Sequence, residues 1–201
     1  MVDPKALLFS LATINDVLPA TDPVKPGATD LVLHEDDWRQ FEAVSASRLP
    51  EVKAELADIH RIFREKSKPV DKFRAFTEIH IRKRIPTPFA AALSWNALLV
   101  ATGIEASSVS RLALSGAGVV KNGFSFRVGE FVVFGTRRGD SVENLCFVVT
   151  SKPGFGANTA AKLAAFFEDN RVVLVHWPSA TLLDSQAAVL DYLQQSGGGK
   201  N

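Results

Sequence analysis

The chain has 201 residues, enough to bury a core without a metal or disulfide staple. Its 23 Lys and Arg stand against 22 Asp and Glu, divided 14 to 14 through residue 100 and 9 to 8 beyond it, so neither half offers the basic face that binding to nucleic-acid phosphates requires. The single cysteine, Cys146, lies in an apolar run, which excludes a disulfide framework and a cysteine metal site and suits a reducing, cytoplasmic setting.

The opening Met1-Val2-Asp3-Pro4-Lys5 leads into an apolar run too short to span a bilayer and without a cationic leader, so neither a membrane span nor a signal peptide is expected. Asp3-Pro4 has the form of an N-cap followed by a first helical proline. Leu7, Leu11, Ile14 and Leu18 then recur at helical spacing, which predicts a first helix ending at Pro19, with a strand through Leu7 to Ile14 as the alternative. Residues 19–29 carry three prolines and a glycine and read as a loop, and Leu31-Val32-Leu33 as a short strand. Glu35, Asp36 and Asp37 place three acids where a helix dipole favours them, predicting a helix that turns Trp38, Phe41 and Val44 inward. A second helix, from Pro50 to Lys66, has Val52, Leu56, Ile59 and Phe63 on one stripe and charges elsewhere.

Residues 73–84 alternate. Phe73, Ala75, Thr77, Ile79 and Ile81 are expected on a buried face, with Arg74, Glu78, His80, Arg82 and Arg84 opposite. Thr87-Pro88 predicts the start of a buried helix that runs from Phe89 to Ala101 and stops at Gly103. Strands follow over Val109 to Ser115 and Val119 to Lys121, with Asn122-Gly123 as a hairpin turn into the long strand from Phe124 to Phe134, where Gly129 marks a bulge. After the turn at Arg137 to Asp140, the strand from Leu145 to Thr150, a helix from Asn158 to Glu168 and the apolar strand Val172 to Val175 form a βαβ unit. A final helix capped by Asp184 carries Val189, Tyr192 and Leu193.

The expected product is one α/β domain, α+β-like in character: a mixed, largely antiparallel central sheet with a C-terminal βαβ unit and N-terminal helices packed on it. Residues 1–103 form a mostly helical half with one amphipathic strand, 104–196 the hairpins, the βαβ unit and the last helix, and 197–201 a flexible tail.

Parallel strands direct attention to their carboxyl ends, where ligands of open sheets sit. Those ends are Thr150-Ser151-Lys152 and His176-Trp177, and the start of the helix at Asn158 adds unpaired backbone N–H groups able to meet an anion. A second candidate is the row Glu78, His80, Arg82 and Arg84, which suits either an acid–base pair flanked by arginines or a surface for a protein partner. No Gly-x-Ser-x-Gly elbow, His-Glu-x-x-His or dinucleotide fingerprint is present, and neither a cofactor nor a metal is expected.

From Phe89 onward, the order helix, three antiparallel strands, helix, strand resembles the core of restriction-endonuclease-like nucleases. The resemblance implies a metal-binding acid at Glu130 and a water-orienting lysine at Lys152; His176, at the neighbouring strand end, would join them in an enzyme. It departs from the family at Thr150, which stands where that pattern has a second acid, so a divalent ion lacks an oxygen ligand there. Balanced charge and the lack of a complete catalytic set favour a different expectation: a non-catalytic cytoplasmic protein that binds and regulates a protein partner, in the manner of toxin-immunity proteins, with no membrane role and with nucleic acid disfavoured but not excluded as a partner. The diverged nuclease, using Lys152 and His176, is the alternative.

Overall fold

The computed structural model describes residues 8–70, 73–83, 89, 92–128, 131–149 and 157–195. Its strands are β1 (Thr13–Asn15), β2 (Thr21–Asp22), β3 (Leu31–Leu33), β4 (Phe41–Ser45), β5 (Ser67–Val70), β6 (Phe73–Phe76), β7 (His80–Arg82), β8 (Leu93–Ser94), β9 (Leu112–Leu114), β10 (Gly118–Val120), β11 (Gly123–Val128), β12 (Phe131–Arg138), β13 (Ser141–Val149), β14 (Val172–His176) and β15 (Thr181–Leu183). Its helices are α1 (Leu49–Glu65), α2 (Trp95–Thr102), α3 (Ala157–Asp169) and α4 (Gln186–Gln195). The fold is mixed α/β, built on a large, mainly antiparallel sheet with strand order β11-β12-β13-β4-β14-β15, to which β8 adds at the side of β13.

β4 organises the molecule. All five of its residues are buried, because both faces of a central strand are covered. Phe41 and Ala43 face one core with Leu174, Leu163, Phe166, Phe167 and Val189, under α3 and α4. Val44 faces a second core with Val52, Leu56, Ile59 and Ile62 of α1 and Val173, Val175 and Trp177. A third core joins Phe134 and Cys146 to Leu112, Leu114 and Val120 of the smaller sheet β2-β10-β9-β3.

The sequence predicts a helix for the β4 segment, and the structure confines helix there to a single 3-10 turn over Glu35–Asp37 before the chain extends. Phe41 and Val44 are three apart and fit a helical stripe, but the segment is paired on both sides, to β13 and β14, and the sheet's two covered faces bury Glu42 and Ala43 as well. This inserted strand also corrects the βαβ reading. β4 pairs antiparallel with β13 (Cys146↔Glu42) and with β14 (Phe41↔His176 through Ser45↔Val172). β13 and β14 therefore point the same way across α3, yet they are separated by a strand from the N-terminal half.

Other expectations shift for local reasons. Over the described part of the expected first helix, Phe9 is bridged to Phe76 and Thr13–Asn15 pairs in parallel with His80–Arg82, so the chain is extended. Adjacent Thr13 and Ile14 disfavour helix and accept an edge partner. The single strand expected over 73–84 breaks into β6 and β7, and in β7 the faces are reversed, with Arg82 2% exposed and Ile81 57%, whereas Arg74 in β6 is exposed as expected. α2 starts late, capped by the Ser94 hydroxyl, which accepts from Ala97 N–H, and it ends at Gly103 with φ 69° as expected. Its Val100 is 80% exposed, so the helix is not buried all round.

Asn122-Gly123 does turn the chain, with Asn122 at φ 56°, but no hairpin results. β10 pairs with β9 and β2 while β11 pairs with β12, so this turn passes the chain from one sheet to another. Ser185, not Asp184, caps α4 by accepting from Ala188 N–H. The single strand expected from Phe124 to Phe134 is two, β11 and β12, paired antiparallel from Phe124↔Gly135 to Val128↔Phe131. Gly129, expected as a bulge, and the tail 197–201 lie outside the described residues.

Candidate functional site

The carboxyl ends of β13 and β14 lie on one edge of the large sheet, with the start of β4 between them. Of the groups expected there, Thr150, Ser151 and Lys152 lie outside the described residues, as does Glu130. Asn158 falls in the first turn of α3. His176 is at the edge. Its Nδ1 shares a hydrogen bond with the Ser179 hydroxyl, and its ring packs against Phe41 at 5.4 Å and Tyr192 at 5.9 Å. Burial holds its pKa below the ordinary histidine value, which favours the neutral ring. Trp177 turns the other way, into the core, and donates from Nε1 to Glu42 Oε1 at 2.8 Å.

The charged row becomes a seam between α1 and β7. Arg61 donates to Glu78 at 2.8 Å and Lys66 stands 3.7 Å from the same carboxylate; the hydrogen bond from Arg61 is the main cause that holds the Glu78 pKa below its usual range. His80 Nε2 meets Glu55 Oε2 at 2.5 Å. Arg84 lies outside the described residues.

Arg82 joins a buried polar cluster that the sequence reading did not anticipate. Glu42, 3% exposed, accepts from Arg39 Nε at 2.5 Å and from Trp177 Nε1, and Arg82 Nη1 lies 3.9 Å from its Oε1. Arg82 also donates to the Arg39 carbonyl at 2.8 Å, and its guanidinium lies over the Trp177 ring at 4.8 Å. Gln40 ties the cluster to the chain by donating to the carbonyls of Asp36 and Thr13. Two guanidiniums thus share one carboxylate in the interior. Burial lowers the Arg82 pKa to about 10, so it stays cationic at neutral pH. At Arg39 burial acts in the same direction, but the charge and hydrogen bond of Glu42 outweigh it and raise the pKa. Cys146, on the neighbouring strand, is pushed well up by burial and next by the Glu42 charge, so its thiol is not a nucleophile at neutral pH. The available signal was a charge inside an otherwise apolar run, Phe41-Glu42-Ala43-Val44, with a second charge three residues before it.

Two clefts adjoin these elements. One, of about 290 Å³, is lined by Arg39, Trp38, Lys121, Asn122, Arg138 and Asn144, among others. The other, about 590 Å³ and mostly apolar, runs along Leu8, Phe9, Leu11, Val70, Phe76 and Pro178. Among the described residues no group of three or more His, Cys, Asp or Glu side chains is placed to hold a metal, and no helix is long and apolar enough to cross a membrane. No family model, curated protein or solved structure matches the chain.

Proposed function

We propose that the chain is a non-catalytic protein-binding protein that regulates or neutralises a protein partner, the mode of action of toxin-immunity proteins, and that the partner docks in the apolar groove between residues 8–12 and the β5–β6 hairpin. The observation that carries this reading is the groove itself. It presents Leu8 and Val70, each about two-fifths exposed, beside Phe9, Leu11 and Phe76, an apolar surface of the kind that marks interaction sites. Supporting it, the acids and histidine of the charged row and the buried cluster are engaged within the fold: Glu42 with Arg39 and Trp177, His80 with Glu55, and Glu78 with Arg61. Arg74, which donates to Ser67, adds a cation to the lining for an acidic or carbonyl group of the partner.

The test is affinity capture from lysate of the source cells, with quantitative mass spectrometry, comparing the natural chain with a Leu8→Glu/Val70→Glu double variant. Both side chains are about two-fifths exposed, and an unfolding midpoint equal to that of the natural chain shows that the variant keeps the fold. One near-stoichiometric partner, lost from the double variant, supports the reading. No partner, or equal recovery by both proteins, together with Mg²⁺- or Mn²⁺-dependent plasmid cleavage that Lys152→Ala abolishes, overturns it in favour of the nuclease alternative.

A further inference from the structure

The Arg39 guanidinium is held through one nitrogen and is almost wholly buried. Its Nε donates to Glu42, whereas among the described residues Nη1 and Nη2 make no hydrogen bond, and the side chain keeps 5% of its surface exposed. Arg39 is only 4% exposed, yet it lines the 290 Å³ cleft, and its backbone sits at φ 58°, a conformation that is costly for a side chain other than glycine. Lys121 and Arg138 stand in the same lining. Asn144, whose Nδ2 donates to the Thr136 hydroxyl, fixes the floor beside the irregularity between β12 and β13.

We propose that this cleft is a binding site for a small ligand bearing an oxyanion, a phosphate or carboxylate group, anchored end-on by Arg39 Nη1 and Nη2. Three features converge on it. The two terminal nitrogens of a guanidinium form a planar fork that matches two oxygens of such a group, and hydrogen bonds between ions are the strong ones. The buried cluster behind Arg39 holds two guanidiniums against one carboxylate, so an anion in the cleft supplies the missing negative charge. The opposing acids are weak competitors. Glu143 pairs with Arg138 and Asp22 with Lys121, both at 3.2 Å, and each pair is exposed enough that water and salt screen it. Asp16 acts on Arg39 only as a minor electrostatic contribution.

The experiment is a titration of the ¹⁵N-labelled chain with orthophosphate, pyrophosphate and citrate at ionic strength matched with NaCl, followed by amide shifts. The result expected is saturable shifts at Asn122, Thr136 and Asn144 with at least one anion, half-complete below about 1 mM. The Lys121→Ala/Arg138→Ala double variant, altered only at exposed rim residues, weakens that binding by about tenfold with its unfolding midpoint unchanged. Arg39→Lys, which keeps the charge and loses the fork, weakens it as well. Preference for pyrophosphate assigns phosphate chemistry and preference for citrate assigns carboxylate chemistry; either supports the site. No saturable shift up to about 10 mM, or identical shifts in the rim variant, overturns it.

Discussion

Replacing Glu42 by Gln keeps the shape of the side chain and removes the one negative charge in the buried cluster. The Arg39 Nε and Trp177 Nε1 bonds at 2.5 and 2.8 Å then lose their ionic acceptor, and two cations remain 4% and 2% exposed without a counter-charge. Uncompensated buried charges of this kind cost about 3–5 kcal/mol, a large fraction of the 5–15 kcal/mol typical of a folded domain. For a chain of this length each kcal/mol corresponds to about 2–4 °C, so a fall of about 6–20 °C in midpoint is expected. Urea unfolding followed by circular dichroism measures the free energy directly. Glu51→Gln, which removes an exposed partner of Arg48, is the control and changes stability by less than about 1 kcal/mol. A loss below about 1 kcal/mol for Glu42→Gln would refute the argument, because it would mean that water already reaches the cluster.

Two further outcomes follow from other parts of the fold. A methyl group on Gly135, in β12, would stand 1.9 Å from the carbonyl oxygen of Asn144, so Gly135→Ala should force the β12–β13 ladder apart, and its loss of midpoint should exceed that of Gly139→Ala, where open space surrounds the new atom. His176 has a folded pKa lowered by burial, so the unfolded chain takes up its proton first as pH falls. Its contribution is therefore fully present above the unfolded histidine value and declines as pH drops through that value towards the folded one. Urea midpoints measured from about pH 8 to pH 5 should fall over the acid part of the range, and His176→Asn should flatten that part of the curve; an unchanged slope would contradict it.

Much of the architecture was legible because it is written in local pattern. The stripe of Val52, Leu56 and Ile59 gives α1, and the turn at Gly139 leads into β13 as the sequence expects, but the one long strand expected from Phe124 to Phe134 is two strands, β11 and β12, paired antiparallel with each other. What stayed hidden depends on contacts distant in sequence. Nothing local says that Phe41–Ser45 is drawn between β13 and β14, more than a hundred residues away, and it is this insertion that buries Glu42. The alternation over residues 73–84 was visible, but its sense was assigned from residue type. Arg82 goes inward because Glu42, the Arg39 carbonyl and the Trp177 ring wait for it there, while Ile81 is left on the outside of a two-stranded ribbon. Asn122-Gly123 shows the same limit: the dipeptide dictates a turn with positive φ but not which strands the turn joins. The sequence singled out His80 and Glu78 as polar groups with chemical potential, and their partners on α1 became apparent only once the helix was docked against β7.

The most direct test of the docking account is hydrogen exchange of the chain free and bound to its captured partner. Protection concentrated on residues 8–12 and 73–76, the walls of the apolar groove, is the result predicted. Protection confined instead to the ends of β13 and β14, at residues 146–149 and 174–177, would contradict it and move the functional surface to the strand edge that carries His176.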